Sequence, residues 1–169
     1  MSDLKGVGLL GLLETDLESL FSSIGKGECL QDILGWSDEQ VNELYACLKD
    51  LNEAERWDDA LDASSFLITI NPALGCVYTE AGFAYHNKGM LPEAIEMYSM
   101  GAMNTAGDPQ PFIYMVNCYQ ALGDKENAIK SLECAILLIK TSEYAKPWEL
   151  LLDELEETLV TLKSEDGTK

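Results

Sequence analysis

The sequence predicts an all-α fold in which tandem helix-turn-helix units stack into an α-α superhelix. Three observations carry that expectation. Ala60, Ala94 and Ala128 recur at an interval of 34 residues, in the similar frames Trp57-Asp58-Asp59-Ala60-Leu61, Leu91-Pro92-Glu93-Ala94-Ile95 and Lys125-Glu126-Asn127-Ala128-Ile129. Large residues repeat in the same register. Gly89 and Gly123 fall in the turns between the two helices of their units.

A period of 34 is that of the tetratricopeptide (TPR) repeat, an antiparallel helix pair in which the second helix carries a small residue because the first crosses close against it. With units counted from Val41, Gly75 and Pro109, the fourth position holds Leu44, Tyr78 and Phe112, and the eleventh Leu51, Tyr85 and Tyr119. The twenty-fourth holds Ser64, Tyr98 and Leu132; most of these residues suit a seam between helices. The eighth position holds Leu48, Gly82 and Val116. Only Gly82 is small there, as the repeat requires, so the first and third units are expected to space their helices differently. Pro72 closes the first unit, and Ala106 stands at the equivalent place in the second, shortly before Pro109. Three TPR repeats follow, at about 41–74, 75–108 and 109–142, within a repeat region spanning 38–140.

Residues 1–37 form an N-terminal helical segment. Leu10, Leu13, Leu17, Leu20 and Ile24 draw one apolar stripe along a helix, and that stripe either docks on the first repeat or pairs two chains as a homodimer. Ser37 and Gln40 have capping-box spacing, which places a helix start near Asp38, with Trp36 beside Val41 as a hydrophobic staple. Pro92 suits the first turn of a helix and Asp124 a helix cap. Pro147 is expected to open a C-terminal capping helix within 143–169 that carries Trp148, Leu151, Leu152, Leu155, Leu159 and Leu162, with a frayed tail from Ser164. Trp57 and Trp148 are expected in the core.

Charge narrows the function. Thirty acids against 11 bases give a formal net charge of −19 over 169 residues, which repels nucleic-acid phosphates and anionic membrane surfaces. The apolar run Val7 to Leu13 is too short to span a bilayer and lacks the flanks of a signal peptide, so a cytoplasmic protein without stable membrane insertion is expected. Five cysteines, Cys29, Cys47, Cys76, Cys118 and Cys134, show no C-x-x-C spacing and read as small core fillers in a reducing compartment, not as disulfides or a zinc site. Gly6-Val7-Gly8 lacks the strand and helix that a phosphate-cradling loop needs. Cys76 and His86 stand ten residues apart on one helix, about 15 Å, too far for a nucleophile and its base. No acid, base and nucleophile constellation emerges, so neither an enzyme nor a cofactor or metal is expected.

Function is therefore expected from a surface. In stacked repeats the first helices line the concave side, and positions two, five, nine and twelve project into it. They hold Asn42, Tyr45, Lys49 and Asn52, then Cys76, Thr79, Phe83 and His86, then Gln110, Ile113, Asn117 and Gln120. Side-chain amides suit the backbone of an extended peptide, and Tyr45, Phe83 and Ile113 offer apolar walls. Lys49 is the only base of the set, so this groove is expected to be nearly neutral and not a clamp for a terminal carboxylate.

Leu44-Tyr45-Ala46, Tyr98-Ser99-Met100-Gly101-Ala102, Asp108-Pro109-Gln110-Pro111-Phe112, Cys118 and Gly123 resemble, in order and spacing, the translocator (class II) chaperones of bacterial type III secretion systems. The resemblance spans roughly residues 41 to 140. It implies a chaperone of the bacterial cytoplasm that shields a hydrophobic translocator protein before export by gripping an extended proline- and leucine-containing segment in the concave groove. Tyr45, Asn52, Phe83 and His86 are then the foremost groove residues, and the N-terminal helices a means of dimerisation. Leu48 and the Asn117-Cys118 pair depart from the family pattern, which leaves the choice of client open. Two alternatives stand beside this reading: a TPR scaffold that joins folded subunits through its convex face or the acids Glu149, Asp153, Glu154, Glu156 and Glu157, and a chaperone of the secretion needle subunit, whose client is a helix.

Overall fold

The helices that follow Ser37 and Asp124 start where their capping signals stand. The computed structural model describes residues 22, 23 and 25–164; the stripe Leu10, Leu13, Leu17, Leu20 and Ile24 lies outside the described residues, as does the tail beyond Ser164. A short helix α1 (Leu30–Ile33) precedes α2 (Asp38–Glu53). Ser37 caps α2: the Gln40 amide donates to Ser37 Oγ at 3.3 Å and the Ser37 amide donates to Gln40 Oε1 at 3.0 Å. Trp36 packs against the apolar cluster that holds Val41, Leu48, Ala60 and Leu67. Gln31 ties α1 to its neighbours, donating to Asp38 Oδ1 and accepting from Asn71 Nδ2, both at 2.7 Å.

Three antiparallel hairpins follow: α2 with α3 (Trp57–Ile70), α4 (Gly75–Asn87) with α5 (Leu91–Asn104), and α6 (Gln110–Ala121) with α7 (Lys125–Thr141). Each helix packs on the next in sequence, and the first helices also touch one another, α2 against α4 and α4 against α6. That second set of contacts makes an inner row of first helices, with α3, α5 and α7 behind it.

The 34-residue register is visible in the turns. Arg56, Met90 and Asp124 donate their amides to the carbonyls of Leu51, Tyr85 and Tyr119 at 2.9, 3.0 and 2.8 Å, and the residue before each donates to Asn52, His86 or Gln120. These are three copies of one C-terminal cap, whose pivotal residue must adopt a left-handed backbone. Gly89 and Gly123 supply it with φ of 75° and 74°; in the first unit Glu55 does so, with φ of 57°, where a side chain is disfavoured. Asp124 also accepts from the Asn127 amide at 3.1 Å, as a capping residue should.

Ala60, Ala94 and Ala128 are wholly buried, as their role at the helix crossing requires. The middle hairpin is the tightest, because glycine lets its two helices approach. A Cβ on Gly82 would meet the Tyr98 ring at 2.6 Å, and one on Gly101 would meet Thr79 Oγ1 at 2.6 Å. Leu48 and Val116 are buried where Gly82 stands in the middle unit, and the outer hairpins are less intimate, as expected from those larger residues.

The C-terminal end differs from expectation. Glu143–Leu151 forms a 3-10 helix with Pro147 inside it, and the α-helix α8 (Leu152–Ser164) starts only at Leu152. Proline disfavours α geometry at the residue before it and has no N–H to donate, so the α ladder forms only beyond it. Leu152, Leu155, Leu159 and Leu162 cover Val116, Leu132 and Ile136, and α8 caps the stack. Lys163 pairs with Glu133 and Lys140 with Glu156 across the joint. Leu151 is exposed instead of sharing the stripe, and Trp148 is half-buried outside the apolar clusters; Trp57 packs against the first. The cysteines also depart from expectation. Cys118 is buried, but Cys47 and Cys134 are exposed, because each lies about 100° around its helix from a buried neighbour, Leu48 and Ala135.

Gly82→Ala should lower stability by about 1–3 kcal/mol, since the Tyr98 ring has no free space to retreat into. Thermal unfolding checks this; an unchanged midpoint contradicts the close approach of α4 and α5.

Candidate functional site

A cavity of about 440 Å³ opens across the inner row of first helices. It is lined by Lys49, Asn52 and Glu53 of α2, Glu55 of the following turn, Trp57 of α3, Thr79, Glu80, Phe83 and Asn87 of α4, and Gln110 and Tyr114 of α6. Helical geometry explains this set, because α2, α4 and α6 lie side by side and each turns the same face inward.

One wall is aromatic. Phe83 meets Trp57 edge-on with ring centroids 6.0 Å apart and lies 5.9 Å from Tyr114, which in turn lies 5.3 Å from Tyr98. Such tilted and edge contacts are favourable for rings and hold them in place without filling the cavity. Gln110 Nε2 donates to the Tyr114 hydroxyl at 3.0 Å, fixing the far end of this wall.

The floor is polar and centred on Glu80. Asn52 Nδ2 donates to Glu80 Oε2 at 2.8 Å and to the Glu80 carbonyl at 3.1 Å, and the Tyr45 hydroxyl donates to Glu80 Oε1 at 3.4 Å. Burial, and after it the Glu80 charge, raises the Tyr45 hydroxyl well above its ordinary pKa, so it remains a donor. Cys76 lies beside Tyr45, and burial raises its thiol too. Burial pushes the Cys118 thiol up to about 11, which leaves it unreactive at neutral pH. Two buried polar atoms have no hydrogen-bond partner among the described residues, Asn52 Oδ1 and the Tyr98 hydroxyl.

Of the groove residues read from the sequence, Lys49, Asn52, Thr79, Phe83 and Gln110 line this cavity. Tyr45 and Cys76 stand next to it through Glu80 and Tyr45 respectively. His86 instead turns edge-on to Tyr98 at 6.4 Å, and burial holds its imidazole below the ordinary value and hence neutral. Ile113 is half-buried and Asn42 and Asn117 are exposed, all three outside the cavity. Gln120 lines a separate depression with Glu154, Glu157 and Thr161 of α8. Cys76 and His86 therefore have different surroundings, and nothing brings them together as a catalytic pair.

Glu53, Glu80, Asn87 and Tyr114 were not read from the sequence, yet each lies four residues beyond a residue that was: Lys49, Cys76, Phe83 and Gln110. A helix returns to the same face after 3.6 residues, so adding the i+4 partner of each predicted position would have found them. Glu55 comes from the turn and Trp57 from the start of α3, which no first-helix pattern covers. The result is a cavity lined by three carboxylates and one ammonium, Glu53, Glu55 and Glu80 against Lys49, not a nearly neutral one. Among the described residues, no group of acids, cysteines or histidine is arranged to hold a metal ion, and no helix is long and apolar enough to cross a membrane.

No protein-family model and no curated protein matches the chain. Solved structures do. A T3SS complex from Aeromonas hydrophila superposes with a TM-score of 0.78 at 20% identity, over 90% of this chain and 99% of that one. PcrH in complex with the chaperone binding region of PopD gives 0.70 at 22% identity, over 78% of this chain and 97% of that one. The Yersinia enterocolitica type III secretion chaperone SycD, in complex with a peptide of the translocator YopD, gives 0.67 at 19% identity, over 77% and 97%. The chain thus has the fold of type III secretion translocator chaperones, three helical hairpins and a cap.

Asn52→Asp should be strongly destabilising at neutral pH, by about 2–3 kcal/mol, because it sets a second carboxylate against Glu80 and removes the amide donor. Much of that deficit should disappear as the pH falls into the carboxylate range and the pair shares a proton. Equal unfolding midpoints for both proteins at neutral pH would contradict the Asn52–Glu80 contact.

Proposed function

We propose that the chain is a chaperone of the bacterial cytoplasm that holds a hydrophobic type III secretion translocator before export, seating an extended segment of it across α2, α4 and α6. The observation that carries this reading is the position of the cavity: it opens on the row of first helices, between an aromatic wall and a polar floor, in a fold shared with chaperones captured with translocator segments. Apolar side chains of a client leave water against Trp57, Phe83 and Tyr114, at about 25 cal/mol per Å² covered, offset by the ordering of the segment. The amides of Gln110 and Asn87 stand at the cavity to meet its backbone. No nucleotide or metal enters this account, because shielding is an equilibrium between bound and free client.

Tyr45→Ala combined with Phe83→Ala should weaken capture of the translocator by about tenfold or more, since aromatic anchors dominate such interfaces. Co-purification from the native bacterium measures capture, and circular dichroism with a melting curve shows that the helices persist. Capture at the native level by the folded double variant would refute the groove assignment.

A further inference from the structure

Two of the rear helices carry large apolar side chains that nothing among the described residues covers. Phe66 of α3 is 50% exposed, and Met100 and Met103 of α5 are 36% and 80% exposed. Phe66 and Met100 hold the same place in successive units, 34 residues apart, and Met103 lies one turn further along α5. The bare residues of α3 and α5 therefore stand at one height, toward the C-terminal ends of the two helices.

The N-terminal chain enters the fold at that height. α1 packs on α3, Gln31 accepts from Asn71 at the end of α3, and the Trp36 ring lies 6.0 Å from Phe66. Just before α1, the Glu28 amide donates to the Ser23 carbonyl at 3.1 Å and Gly27 takes φ of 84°, the pattern that also ends the first helices of the second and third units. Ser22 and Ser23 thus belong to the last turn of a helix that comes from the N-terminal side. The sequence leading into it carries the stripe Leu10, Leu13, Leu17, Leu20 and Ile24, which lies outside the described residues and which favours cover from water.

Other faces are poorly suited to a row of leucines. At the open edge of α2, Glu43, Cys47 and Asp50 are exposed at the places where α4 buries Val77, Ala81 and Ala84, so that edge is not built to receive a preceding helix. The outer face of α8 sets Asp153, Glu157 and Thr161 around Val160. The cavity on the first helices has a polar floor and three carboxylates.

We infer that the N-terminal segment folds back over its own chain and lays the stripe Leu10–Ile24 across the rear of α3 and α5, on Phe66, Met100 and Met103. The stripe is about 21 Å long at 1.5 Å per residue, against about 10–12 Å for the width of one helix, so it reaches across two. Only residues 25–29 separate it from α1, which is tied down beside Phe66, and so short a tether gives an effective concentration that a second copy of the chain does not match. The docked segment leaves the row of first helices open; this inference goes beyond the chaperone reading and does not depend on it.

The test places the photo-crosslinker p-benzoylphenylalanine at Leu17 of the full chain, in an equal mixture of isotopically heavy and light protein, and maps the products by mass spectrometry. Crosslinks should run from position 17 to residues 62–69 or 96–103 of a chain of the same isotope. Met100→Glu with Met103→Glu should reduce them about tenfold and speed amide exchange of residues 10–24 by a similar factor, with the circular dichroism of the hairpins unchanged. Leu13→Asp with Leu20→Asp, which alters no residue of the hairpins, should have the same effect on the crosslinks. Products that join heavy to light chains overturn the inference in favour of pairing between two copies. Crosslinks to α2, α8 or the cavity, fast exchange of residues 10–24 in the native chain, or crosslinks undiminished in either folded double variant overturn it as well.

Discussion

The close approach of the two helices in the middle hairpin is the constraint on which the rest depends. The Tyr98 ring occupies the space beside Gly82 that a side chain there would need, and Ala94 is buried one turn earlier on the same helix. That contact fixes the rotation of α4 about its own axis. Once α4 is fixed, Phe83 must face Trp57 and Tyr114, and Glu80 must face Asn52. The cavity follows from packing behind it: a groove residue cannot rotate away without lifting the glycine seam from the tyrosine ring.

The same contact explains how a small protein keeps a sizeable opening at its centre. Side chains on the rear helices are buried in continuous apolar clusters around Leu67, Tyr98 and Leu132, so stability does not require the inner row to close on itself. Across the inner row itself, the tilted Phe83 and Tyr114 rings meet between α4 and α6, and Asn52 and Tyr45 donate to Glu80 between α2 and α4. Such contacts keep side chains in place at modest net gain, which leaves their free faces for a bound segment. The unpartnered Tyr98 hydroxyl is the cost of placing a large ring at the seam.

Much of this was legible in the sequence because repetition is a strong signal. The interval between Ala60, Ala94 and Ala128 set the register, and the register set the hairpins, the seam residues and the turns. The Ser37–Gln40 cap was legible from local chemistry alone. What was missed has a physical reason in each case. Reading about one inward position per helical turn left out Glu80, Asn87 and Tyr114, which a 3.6-residue period returns to the same face. Glu55 was hidden because nothing local marks a glutamate as left-handed; only the alignment of its turn with Gly89 and Gly123 does. Pro147 was read as a helix opener, although an unbroken α-helix begins only where its missing donor and the restriction on its predecessor no longer matter.

The central claim is that a foreign segment lies on the inner row of first helices. Hydrogen–deuterium exchange of the chain alone and of its co-purified complex measures this directly. Slowed exchange should concentrate in residues 45–57, 76–87 and 110–114, with α3, α5 and α7 little changed. Protection confined to α3, α5 and α7, or to α8, would place the partner on another surface and contradict the account.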